Sequence, residues 1–128
     1  MKIVVLIVRI LLGVTFVVFG ANGLHPFLPM PPMAAGPAKD YATAMFISHY
    51  AVVPFGVQLI GGILLLLNRY VPLALAILGP VIVNILSFHI FMEPSGLPLA
   101  FVAAILWLIL FYHYRRSFAG IFEQKPAV

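Results

Sequence analysis

The chain has no cysteine. That excludes thiol–disulfide exchange, cysteine-ligated iron–sulfur clusters and covalent c-type haem attachment through its own residues. Charge is nearly as scarce. Lys, Arg, Asp and Glu make up 8% of 128 residues, against about 25% in an ordinary globular domain. So few charges cannot cover a water-facing surface. No Asp or Glu interrupts a long apolar run, so a carboxylate relay for protons has no carrier there. The formal net charge of +4 is spread thinly, mostly at the ends of apolar runs. This pattern suits orientation signals and excludes a nucleic-acid partner.

What the chain has is apolar length. It is 64% hydrophobic, with a mean hydropathy of +1.18. The composition is that of an integral membrane protein whose partner is the lipid bilayer. Residues 1–128 form a single domain. Four stretches approach the roughly 20 residues that cross a bilayer: Ile3 to Leu24, Ala51 to Leu67, Pro72 to Phe91 and Leu97 to Tyr114. The expected fold is all-α, a four-transmembrane-helix bundle. Pro72 and Pro98 mark helix starts, and Ser95 is placed to cap the fourth helix. The first stretch is read as a retained span, because Arg9 interrupts it and "FGANGL" is a poor cleavage site.

Lys and Arg set the orientation. Lys2, Arg69, Arg115, Arg116 and Lys125 lie on one side; Lys39, beside Asp40, lies on the other. The positive-inside rule puts both termini in the cytoplasm. The first outer loop, "HPFLPMPPMAAGP", holds five prolines and should be extended on the outer rim. In "AKDYATAMFISHY", Tyr41, Met45 and His49 fall at i, i+4 spacing, which predicts a short interfacial helix between the first two spans. Residues beyond Arg116 read as a short tail. Tyr41, Tyr50, Tyr70, Tyr112 and Tyr114 read as interfacial aromatic belts.

The polar residues inside the spans carry the functional question. Gln58 and Asn84 fall at matched depth, each about seven residues from the outer end of its span. One reading joins them in an interhelical hydrogen bond; the other sets them in a ligand pocket. Gly61, Gly62 and Gly79 allow close helix approach nearby, and Pro80 frees the carbonyl of Ala76. His25, His49 and His89 all lie towards the outer side. Three imidazoles at one level could ligate a metal, and two could hold a haem axially. The spacing contains no local ligand motif, so a polar pocket for a quinone headgroup or similar amphiphile ranks above metal and haem. Asn84 and His89, five residues apart, point about 140° from one another, so one small ligand is not expected to be gripped by both directly. Arg9 is expected to be structural, snorkelling to cytoplasmic headgroups or contacting Trp107 through a cation–π interaction. Gly13, Gly20 and Phe16 share its helix face and look like close-packing positions. No residue set reads as catalytic.

Three segments together resemble the DoxX family. They are "RILLGVTFVVFGANGL", "VQLIGGILLLLNRYVPLAL" and "PVIVNILSFHIFMEPSGLPLA", in the family's order and spacing, and the resemblance covers about residues 5–120. It implies a four-helix protein of the inner (cytoplasmic) membrane. It also implies a small membrane subunit or accessory protein of a quinone-linked redox system, in sulfur oxidation or oxidative stress, with protein partners. Asn84, His89 and Pro94 carry over. Gln58 departs from the pattern, since many members are acidic there, and this counts against proton transfer at that position. The alternatives are a non-catalytic anchor or assembly subunit using glycine faces and the Pro-rich loop, and below it a small solute carrier, which would need to form a homo-oligomer.

Overall fold

The computed structural model describes residues 1–127. Five α-helices follow in order: α1 Lys2–Leu24, α2 Pro37–Ile47, α3 Val52–Leu67, α4 Val71–Phe91 and α5 Leu97–His113. Short 3-10 segments occupy Pro94–Gly96 and Arg115–Phe122, and the described residues contain no strand. Prolines open α2, α4 and α5, where the missing N–H has no intrahelical partner to lose. Ser95 does not cap α5. Its hydroxyl donates to Glu93 Oε1 at 2.9 Å, and Gly96 takes the N-cap position. A carboxylate two residues away is the stronger acceptor for that hydroxyl.

Among the described residues three helices are long and apolar enough to cross a membrane: α1, α4, and α5 together with its leading turn. At 16 residues α3 is shorter. It spans about 24 Å, below the roughly 30 Å of a hydrocarbon core. It reaches spanning length only together with α2, from which it bends by 85°. The bend comes at Ser48–Ala51. His49 there adopts a left-handed conformation, φ 65°, so it leaves the helical face it was expected to share with Tyr41 and Met45.

The long helices close a ring in which α1 packs on α3, α3 on α4, α4 on α5 and α5 on α1. Extensive helix–helix packing does not include α2. Leu12, Leu65, Leu75, Leu78 and Leu110 are fully buried at the centre, while Ile3, Leu6, Ile10, Val102, Ile105 and Leu108 are exposed on the outside. The tightest seam is α1 against α3. A Cβ on Gly62 would stand 2.8 Å from both Gly13 O and Val17 N, and one on Gly20 would stand 2.7 Å from Leu59 N. Backbone meets backbone here, as the small-residue spacing on α1 predicts.

Arg9 is buried, and it neither snorkels nor meets Trp107. Its Nη1 donates to the carbonyls of Leu65 and Leu66, the latter at 3.3 Å. The reason lies at the end of α3. Asn68 takes the left-handed conformation that closes a helix; its N–H bonds Leu65 O, and Arg69 N–H bonds Leu64 O. That motif satisfies part of the helix end and leaves Leu66 O without a backbone donor. A guanidinium supplies the missing donor, and its charge meets the negative pole of the helix.

Trp107 donates through Nε1 to Leu75 O at 2.9 Å and stacks on Phe111 at 5.1 Å. It lies against Gly79, where a Cβ would come within 3.2 Å of the ring. It therefore serves the turn of α4 that Pro80 disturbs, one carbonyl before the Ala76 group the proline frees. The tail is also more structured than its sequence suggests. Phe118 turns back and buries itself against Phe111 at 4.9 Å between ring centroids.

Candidate functional site

A cavity of about 290 Å³ opens between the helices at the end of the bundle that carries α2. Each element supplies its wall by the same local rule, residues i, i+1 and i+4 on one helix face. On α1 these are Thr15, Phe16 and Phe19. On α3 they are Pro54, Phe55 and Gln58, and on α5 Leu99, Ala100 and Ala103. α2 lies across the top with Tyr41, Ala42, Met45 and Phe46, beside Met30 and Met33 of the Pro-rich loop. Tyr41 meets Phe88 at 5.5 Å and Phe46 stacks on Phe55 at 5.8 Å, so aromatic pairs pin this roof to α3 and α4. Aromatic faces and flexible thioethers make an adaptable apolar lining.

The helix α4 contributes Asn84, Ile85, Phe88 and His89. These cover an arc of about 140° on an ideal helix. Asn84 and His89 therefore border one cavity from the two edges of this arc, about 140° apart as their spacing requires, because a whole broad face of α4 forms the wall.

Gln58, Asn84 and His89 thus come together. The hydrogen bond expected between Gln58 and Asn84 is not formed. Neither amide has a side-chain hydrogen-bond partner among the described residues. Gln58 is only 5% exposed, yet the described residues contain no closed-off polar side-chain atom lacking a partner. Its amide is therefore open to the cavity.

His89 is held from two sides. Its Nδ1 lies 2.8 Å from the backbone carbonyl of Glu93. Its ring also packs on Gly96, where a Cβ would stand within 2.7 Å of Cε1, Nδ1 and Nε2. Ser87, in contrast, closes on its own helix by donating to Val83 O at 2.8 Å.

His25 and His49 are not part of this cavity. Both are exposed, His25 just past the end of α1 and His49 in the bend after α2. Among the described residues no cluster of three His, Cys, Asp or Glu could hold a metal ion. The three outer histidines share a level in sequence depth but do not converge, because α2 and its bend carry His49 away. Sequence reasoning missed Thr15, Phe16 and Phe19 as wall residues and placed Tyr41 in an aromatic belt. The repeated i, i+1, i+4 spacing was the available signal. Nothing local marked Gly96 as the seat of the His89 ring.

No family model matches the chain. The Bacillus subtilis (strain 168) protein YwoB, described as uncharacterised, is 30% identical over 101 residues. The match covers 75% of this chain and 65% of YwoB, so the chain spans a little under two thirds of that curated relative's length. No solved structure matches.

Proposed function

We propose that this chain is a DoxX-like inner-membrane protein that receives a small lipophilic ring compound, such as a quinone headgroup, within its helix ring. It would cross the bilayer four times with both termini cytoplasmic, the bent α2–α3 pair making the second crossing. It would act as a membrane subunit or accessory protein of a quinone-linked redox system and bring the amphiphile to a protein partner. The observation that carries this reading is the pair of unpartnered amides, Gln58 and Asn84, beside His89 in one aromatic cavity. An apolar pocket with a few placed polar groups is the usual form of a site for such ligands. The anchor reading loses one of its supports, since Gly13, Gly20 and Gly62 face each other's helices inside the chain.

Lipid extracted from protein purified in mild detergent should contain a ring amphiphile detectable by mass spectrometry. Gln58→Leu and Asn84→Leu should each lower its yield about tenfold, the size of one good hydrogen bond to a ligand. Thermal stability should change little. Without a bond between them, the stability effects of the two changes should add in the double variant. Identical extracts from wild type and both variants would sink the pocket reading. Topology is tested separately. Reporters fused at residue 128 and near Gly36 should give opposite readings, and equal readings would overturn the four-crossing arrangement.

A further inference from the structure

The cavity's polar groups are not neutral in sign. A backbone carbonyl can only accept a hydrogen bond. The 2.8 Å contact between His89 Nδ1 and Glu93 O therefore places the proton of neutral His89 on Nδ1. Nε2 is left with a lone pair and no hydrogen-bond partner among the described residues. Thr15 repeats the logic on α1. Its hydroxyl proton is given to Leu11 O at 2.8 Å, so its oxygen too can only accept from a ligand. Gln58, Asn84 and Tyr41 can donate or accept equally well. No lining side chain is restricted to donating. The two acceptor-only groups stand on α1 and α4, helices that do not adjoin in the ring.

We infer that the cavity selects ligands that donate hydrogen bonds: a lipophilic ring bearing hydroxyl groups, a phenol or hydroquinone, over the same ring bearing carbonyls. A quinone oxygen brought to His89 Nε2 would set lone pair against lone pair. The hydroxyl of the reduced ring would be received there, and a second ring hydroxyl could be received at Thr15. The inference rests on the pocket reading above and adds the redox state that the pocket holds. It requires no chemistry on the ligand, only a difference in affinity between two forms.

The test uses the full chain in lipid nanodiscs and binding isotherms for decyl-substituted probes. Para-decylphenol should bind about tenfold tighter than para-decylanisole, its methyl ether, for one net hydrogen bond. Decylhydroquinone kept reduced should bind tighter than the phenol, and decylbenzoquinone should bind like the ether. The first comparison is made on wild type, so it does not depend on any variant folding. His89→Phe should weaken the preference for phenol over ether, and His89→Phe combined with Thr15→Val should abolish it. Thr15→Val should bring the hydroquinone down to the affinity of the phenol. Better binding of hydroquinone than phenol points to a reduced quinone as the natural occupant; equal binding of the two points to a monophenol and removes Thr15 from the inference. Equal affinity for phenol, ether and quinone would overturn the selectivity while leaving the pocket standing. Failure of every probe to bind would overturn the pocket reading and the inference with it.

Discussion

Arg9→Leu should destabilise the bundle by about 3 kcal/mol, since hydrogen bonds to a charged group contribute roughly 1.5–3 kcal/mol and both of those made by Nη1 are lost, although Leu65 O keeps the Asn68 N–H. The change leaves Leu66 O without its donor at the buried end of α3, and it removes the cation facing that helix's negative pole. Arg9→Lys should recover part of the loss. An ammonium keeps the cation and has donors to spare, but its shorter stem and more strongly hydrated charge seat it less well at the carbonyls that Arg9 reaches through its terminal Nη1. Unfolding in a denaturing detergent series would order the variants as wild type, Lys, then Leu. Leu equal to wild type would mean that the α3 end is satisfied without Arg9. Lys equal to Leu would mean that the planar guanidinium itself is required.

Gly62→Ala should be nearly as damaging despite adding one methyl group. The new carbon would stand 2.8 Å from Gly13 O and Val17 N, and these are backbone atoms that no rotamer change can move aside. Overpacking of this kind costs about 1–3 kcal/mol. The seam also sets how far α1 stands from α3, and Phe16 of α1 and Gln58 of α3 both line the cavity. Ligand yield should therefore fall along with thermal stability. Gly56→Ala is the matched control, since a Cβ at Gly56 meets nothing within 4 Å. Equal stability of the two variants would show that α1 and α3 can separate without loss.

These residues also show how far the sequence could be read. Apolar run length and proline position located the helices, because both are local properties. The small residues on α1 announced the close seam, since only a partner backbone makes a missing side chain useful. Gln58 and Asn84 could be matched by depth, and His89 placed towards the same outer side, because counting along a helix supplies that single coordinate. Counting could not supply rotation about the ring or the path of the connections. His49 was lost to a left-handed turn that no local residue requires. The helical wheel set Asn84 and His89 about 140° apart, but it could not supply the breadth of the cavity that both of them border. The partner of Arg9 is a helix end 56 residues away, and a carbonyl leaves no mark in the sequence. Phe118 looked like tail for the same reason: its partner Phe111 sits on a helix whose inward face is fixed only by the other helices.

The edge of the cavity has one further consequence. Met30, Phe46, Asn84 and Leu99 line the cavity and are also exposed, so the opening lies on the flank of the bundle. In the four-crossing arrangement proposed above, such a flank would open onto acyl chains. A tailed ligand would then arrive by lateral diffusion and leave its tail in the leaflet. Occupancy would follow the ligand's mole fraction in the lipid, and its bulk molarity would be a poor guide. Diluting a fixed amount of probe with extra empty vesicles should empty the site even though the protein and probe concentrations are unchanged.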